Sequence, residues 1–184
     1  MRKFSLVFLL VFSLGFSAVR LQGQVSSLGY GAGLGLGMQV IPVLLEVGLE
    51  GSTHTWPVIK SKGEYQGVPY DGNISLSASR AGGYAKFTIP GLSLIPIVGL
   101  LAHPTIHAGT QSGVLSAGDA ARLPGFGVPF SGNRKIEGSY ALLGFPGYLL
   151  WFFIEPAIGT QHIYVPGVAN ISYTDVQLAI GASF

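Results

Sequence analysis

The sequence predicts an all-β fold, an up-and-down antiparallel β-barrel that spans a membrane, and three observations carry the prediction. The first is strict period-two alternation at both ends of the chain. In the last stretch Thr174, Val176, Leu178, Ile180, Ala182 and Phe184 fall on one face of a strand, and Tyr173, Asp175, Gln177, Ala179, Gly181 and Ser183 fall on the other. The second is a charged fraction of only 10% with a mean hydropathy of +0.51, too apolar for the charged surface of a water-soluble domain. The third is 28 Gly and 11 Pro in 184 residues, which oppose long helices and favour turns and close backbone approach.

Arg2 and Lys3 lead into the apolar run Leu6 to Leu14, followed by small residues around Gly15-Phe16-Ser17. This pattern predicts a secretory signal peptide over 1–17 and a barrel over 18–184. Crossing a bilayer takes about 9 to 11 residues per strand, so a chain of that length suits eight strands. Of ten Lys and Arg, two leave with the signal, and the remaining eight face eight Asp and Glu. Nucleic-acid binding thereby loses its electrostatic basis. The absence of Cys removes disulfides, thiolate metal sites and a cysteine nucleophile.

Each strand has its own signature. From Leu28 to Val40 the even positions Leu28, Tyr30, Ala32, Leu34, Leu36, Met38 and Val40 form an apolar outside, while Gly29, Gly31, Gly33, Gly35 and Gly37 leave the inside nearly empty. A glycine stripe makes room for bulky side chains reaching across a narrow lumen. The same stretch fails as a phosphate loop, since no placement gives G-x-G-x-x-G. After the tight connection Ile41-Pro42-Val43, outward Leu45, Val47 and Leu49 alternate with inward Glu46, Gly48, Glu50, Ser52 and His54. Val58 to Gly72 reads as a long polar loop. Asn73 to Ile89 reads as one long strand whose outward face switches from Ile74, Leu76 and Ala78 to Ala85, Phe87 and Ile89 through a bulge at Gly82-Gly83.

Beyond the Pro90-Gly91 turn, Val98, Leu100, Ala102 and Ile106 are expected outward, with Gly99, His103, Thr105 and His107 inward. Gly109 to Asn133 is expected to be the longest loop. Ile136 to Leu143 and Leu150 to Gln161 are strands separated by Phe145-Pro-Gly147, with Leu150, Phe152, Ile154 and Ile158 outward and Glu155, Gly159 and Gln161 inward. Tyr164 to Asn170 is a medium loop. These give seven strands, and the one candidate for the missing first crossing is Ala18 to Ser26, where Val19, Leu21 and Val25 alternate with Arg20, Gln22 and Gln24; cleavage after Gly23 instead would require the eighth strand to come from elsewhere.

The closing strand and its terminal Phe184 resemble those of small bacterial outer-membrane β-barrels of the OmpX-like and OmpA-barrel class. The resemblance covers chain length, strand pattern and terminus rather than any catalytic motif. It implies eight strands, an outer-membrane address, outer-membrane lipids as surroundings, and assembly machinery that reads the last strand and Phe184. It also implies that the connections at Pro42, Pro90 and Pro146 are periplasmic and the long ones extracellular. Phe87, Phe145, Tyr148 and Phe184 would then form one interfacial belt, and Trp56 and Tyr164 the other.

Chemistry motifs are sparse. His103 and His107 have the i, i+4 spacing of a metal pair on a helix, but on a strand they stand about 13 Å apart, so lumen-facing histidines are the simpler reading. No G-x-S-x-G elbow occurs, and no cofactor is implied. Asn73-Ile-Ser75 and Asn170-Ile-Ser172 match a glycosylation acceptor that means little in a bacterial barrel. The informative set is Glu46, Glu50, Lys86, Glu155 and Asp175, all expected in the lumen, where ionised groups must pair or hydrogen-bond. Glu46 and Glu50 share a face and repel unless a cation intervenes, with Lys86 the nearest and Arg80 its substitute.

A helical rival exists, because Tyr140 to Ile158 is long and apolar enough to span as a helix, but Gly144-Phe-Pro-Gly147 interrupts it with a turn signal. For function the sequence favours a structural or surface-interaction barrel with a plugged lumen and no enzymatic activity. A small channel for ions or apolar solutes, or a lipid-modifying enzyme, are the alternatives. The ligand of the loops is not legible.

Overall fold

The computed structural model describes residues 16–27, 29–91, 102–123 and 127–184. Its elements are β1 (Phe16–Ser26), β2 (Gly29–Ile41), β3 (Leu45–Thr55), β4 (Ile59–Tyr65), β5 (Val68–Phe87), β6 (Thr105–Ala121), β7 (Phe130–Gly144), β8 (Gly147–Leu149), β9 (Phe152–Val165) and β10 (Ala169–Ser183). All pairings are antiparallel, and eight strands close into a ring in the order β1-β2-β3-β5-β6-β7-β9-β10, with β10 returning to β1. Hydrogen bonds from Val19 N to Phe184 O (2.9 Å) and from Phe184 N to Val19 O (3.0 Å) extend that last seam. Closure leaves the ring without an edge, which is what a lipid-facing sheet requires. The short β4 and β8 are hairpin arms on β5 and β9.

The expected first strand is present and pairs on both sides, Leu21 facing Ala182 on β10 and Leu34 on β2. It starts at Phe16, two residues before the expected boundary of the mature barrel. The signal segment otherwise lies outside the described residues. The span Tyr140 to Ile158 is taken up by β7, β8 and β9, which removes the helical rival.

The glycine stripe does what the spacing predicts. Gly37 and Gly48 are cross-strand partners beneath the Tyr84 side chain, and a Cβ at Gly37 would fall against the Tyr84 hydroxyl and the Glu46 carboxylate, one at Gly48 against the Tyr84 ring. Outside the same part of the barrel, Leu34, Leu36, Met38, Phe87, Ile106, Ile154, Ile158, Leu178 and Ile180 stand exposed. That apolar girdle is a surface made for hydrocarbon rather than water.

Four expectations are overturned, and one physical cause underlies them. The register between β3 and β5 is continuous from Leu45–Phe87 to Thr55–Ser77, with no bulge at Gly82-Gly83, so Ile74, Leu76 and Ala78 point inward and are buried. Val58 to Gly72 forms the β4–β5 hairpin, and Gly109 to Asn133 supplies most of β6 and the start of β7 rather than a long loop. Tyr164 to Asn170 shrinks to a turn at 166–168. Beyond the girdle the strands continue into water, and there the rule reverses: apolar side chains go inside and polar ones outside. Outward Ser77, Ser79, Ser112, Glu137 and Ser172 flank an interior cluster of Ile74, Leu76, Leu115, Ala117, Leu123, Phe130, Ile136, Ile163 and Val165. A single in-or-out rule applied along the whole strand therefore reads the far half backwards.

Smaller corrections follow the same geometry. Ala102, expected outward, is fully buried, and Val98 and Leu100 lie outside the described residues. Pro104 precedes β6, and its carbonyl accepts a bond from Phe87 N (2.9 Å). Leu150 is not a strand residue but a turn residue in the left-handed region (φ 58°) between β8 and β9. Trp56 is half-buried against the far interior cluster, and Tyr148 faces the mouth beside Lys86; neither belongs to an interfacial belt. At the end bearing the termini, Trp151, Phe152 and Phe184 form an aromatic group instead.

Candidate functional site

Inside the girdle, inward residues of six strands build a column of ion pairs. At the end bearing the termini, Lys86 Nζ lies 2.5 Å from Glu46 Oε2, and the Tyr84 hydroxyl donates to Glu46 Oε1 (2.8 Å). Next along the axis, Arg20 donates to Glu155 Oε2 (2.7 Å), its guanidinium lying over the rings of Phe153 (4.5 Å) and Tyr84 (5.3 Å). His107 bridges two carboxylates, with Nε2 2.9 Å from Glu155 Oε1 and Nδ1 2.8 Å from Glu50 Oε2. The Tyr140 hydroxyl donates to Glu50 Oε1 (3.0 Å). Arg80 then donates to Asp175 Oδ2 (3.2 Å) and Gln177 Oε1 (2.8 Å) and lies over Tyr140 at 5.0 Å.

At the far end of the column Asp175, fully buried, accepts from the Ser27 backbone N–H (3.0 Å), the Ser27 hydroxyl and the Gln161 amide. Tyr173 donates to Gln161 Oε1 (3.0 Å), and Gln177 Nε2 to Gln24 Oε1 (3.0 Å). Burial of this many charges is tolerable only because each carboxylate has several donors.

All five lumen residues read from the sequence thus point inward and meet a partner. Glu46 and Glu50 do not share a cation: Lys86 serves Glu46, whereas Glu50 is served by His107 and Tyr140. Arg80 is the partner of Asp175 rather than a substitute for Lys86. Sequence reasoning missed Arg20 as the partner of Glu155 and His107 as the bridge. The available signal was their inward parity on β1 and β6, together with a cation deficit. Lys86 and Arg80 alone cannot balance Glu46, Glu50, Glu155 and Asp175, and adding Arg20 still leaves one cation wanting. An imidazolium at His107 supplies it, and only the imidazolium donates at both ring nitrogens.

The remaining candidates have other roles. His103, on the approach to β6, meets Thr88 Oγ1 (3.2 Å) and the edge of the Tyr148 ring (5.4 Å), apart from the His107 bridge. Ser52 Oγ lies 3.1 Å from His54 Nε2, the first two members of a hydrolytic triad in outline. His54 Nδ1, where an acid would orient the ring, has no hydrogen-bond partner among the described residues, and the residue is fully buried. Phe184 caps the β1–β10 seam, its ring 6.5 Å from Trp151.

The void left among Gln22, Gln24, Glu50, Arg80, His107, Tyr140 and Gln177 is about 10 Å³. A single water needs at least about that much.

No family model matches the sequence, and no curated protein matches it. Solved structures similar to it include two proteins. One is Ail, the attachment invasion locus protein of Yersinia pestis, in complex with the heparin analogue sucrose octasulfate, at 12% identity and a TM-score of 0.45 over 91% of this chain and 96% of that one. The other is Neisserial surface protein A (NspA), at 13% identity and a TM-score of 0.40 over 91% of this chain and 94% of that one. The fold assignment itself rests on the closed ring of strands and its girdle. The chain has the eight-stranded, up-and-down antiparallel barrel that its resemblance to the small OmpX-like class implies.

Proposed function

We propose that this chain is an outer-membrane barrel that works as a structural or surface-interaction protein, with a plugged and non-conducting lumen and no catalytic role. The supporting observation is the ion-paired column running from Lys86–Glu46 to Arg80–Asp175, with every carboxylate held by more than one donor. A hydrated ion would have to displace these pairs to pass. The interaction surface is the far end, where β4, β5, β6, β7, β9 and β10 rise past the girdle with polar outer faces carrying Lys60, Lys62, Arg134, Lys135 and Glu137. The signal peptide, the assembly role of Phe184 and the barrel-assembly partner belong to this reading.

Planar-bilayer recording tests it. Wild-type protein is expected to show no steady conductance at moderate voltage, and the Arg80→Ala variant to show intermittent leak. Stable, well-resolved wild-type channels would overturn the plug and promote the channel reading.

A further inference from the structure

The far half of the interior holds a cavity that the ion-paired column does not explain. It has a volume of about 200 Å³ and is walled by Leu76, Leu115, Ile136, Ile163, Val165 and Ile171, with Trp56 among its lining residues. The polar groups that reach it are already engaged. Trp56 Nε1 donates to Ser27 O (3.0 Å), the Ser27 hydroxyl binds Asp175, and Tyr173 donates to Gln161 (3.0 Å). An occupant would therefore gain no hydrogen bond from these groups, and a polar one would lose its own to water.

We propose that this apolar cup binds a single unbranched alkyl chain of an amphiphile. A cavity of about 150 Å³ lined by Leu, Ile and Phe stays dry and takes up benzene, so this one fits a chain segment of about eight carbons. The cup's position supplies the class of ligand. Its wall is lowest between β10 and Trp56: β1 stops at Ser26, the β1–β10 register stops at Val25–Leu178, and among the described residues no strand pairs with β10 beyond Leu178 on that side. Ser27, Trp56, Ile171 and Tyr173 line the cavity there, just above the girdle. A hydrocarbon chain reaching up from the surrounding membrane meets that rim first, and so does the tail of a free fatty acid arriving from water. The reversed alternation of β5, β6, β7 and β9 is what makes the cup, since it places Leu76, Leu115, Ile136 and Ile163 inside where the column below carries charge.

Trp56 is a built-in reporter. The chain has two tryptophans, and Trp151 lies exposed at the opposite end, so Trp151→Phe leaves Trp56 alone. This protein, folded in lipid nanodiscs, is titrated with octanoic acid brominated at its terminal carbon, which quenches indole fluorescence on contact. Saturable quenching is expected, with the midpoint raised about tenfold by Leu76→Phe with Leu115→Phe, which together fill the space of two or more methylenes. Ile171→Asn, at a half-buried rim position that tolerates a polar group, should weaken quenching similarly and carries the comparison if the filled variant does not fold. A second arm uses nanodiscs of phospholipid brominated at its chain ends, without free acid. Quenching there that falls in the variants makes the lipid chain the occupant; variant-sensitive quenching only in the first arm makes it a free amphiphile. Quenching that is linear in probe, or equal in the unaltered cup and the variants in both arms, overturns the proposal.

Discussion

Replacing Arg20 with Met keeps most of the side-chain volume and removes the charge that holds Glu155. Both side chains are 3% exposed and 2.7 Å apart, and Glu155 would be left with His107 at 2.9 Å. Removing one partner of a buried pair costs about 3 to 5 kcal/mol, and the surviving His107 contact puts this case near the lower end. Loss of the guanidinium from the faces of Phe153 and Tyr84 adds up to about 1 kcal/mol, which packing of the Met thioether partly offsets. The expected total is about 3 kcal/mol. In a chain of this size 1 kcal/mol moves the midpoint by about 2 to 4 °C, so unfolding should begin about 6 to 12 °C earlier. The assay is the fraction of fast-migrating, folded barrel on SDS gels after graded heating, repeated as a urea titration in the same detergent. Arg20→Met with Glu155→Gln removes both charges and should recover more than half of the loss, because the orphaned carboxylate is the larger part of it. A single variant within 2 °C of wild type, in the sense of about half a kcal/mol, or a double variant as unstable as the two singles added together, would refute the reasoning.

Three further predictions use the same measurements. Gly48→Val should lower the yield of folded barrel sharply, since its side chain would occupy the space of the Tyr84 ring, whereas Gly118→Ala, whose Cβ meets nothing within 4 Å, should leave it unchanged; the folded fraction after refolding decides. Deleting Phe184 should reduce outer-membrane accumulation well below wild type while Phe184→Tyr is tolerated, and equal levels of all three on membrane fractionation would remove its role. Protease added to intact cells should cut, if anywhere, at the far-end turns around Gln66-Gly67 and Pro166-Gly167, and cleavage confined to Pro42 or Pro146 would reverse the orientation.

The barrel was legible because lipid imposes one rule on each strand inside the membrane. At β2, β3, β9 and β10 that rule placed Gly37, Glu46, Glu155 and Asp175 correctly from parity alone. It failed on β5 because Ile74, Leu76 and Ala78 belong to a water-surrounded segment, where apolar side chains seek the interior; the bulge was inferred only to keep them outside. Nothing local in Ser-Leu-Ser-Ala-Ser says which medium surrounds it. The column was half legible for a related reason. Parity says which residues face the lumen, but which of them meet depends on strand tilt and stagger, and that is how Arg20 reaches Glu155 across a separation of 135 residues.

The seam between β1 and β10 has a kinetic consequence. Its backbone pairing runs only from Val19–Phe184 to Val25–Leu178, whereas β9 and β10 pair from Phe152–Ala182 to Val165–Ala169. It also joins the first and last strands, so it is the pairing with the largest loop to close and belongs at the end of any zipping order built on neighbouring hairpins. Until then the chain is a curled sheet with two open edges. The contacts that cross the seam, Ser27 to Asp175 and Gln24 to Gln177, form only at that moment. Residues that look like inert filling in the finished barrel therefore act as its latch, favouring the closed ring over the open sheet when few backbone bonds do.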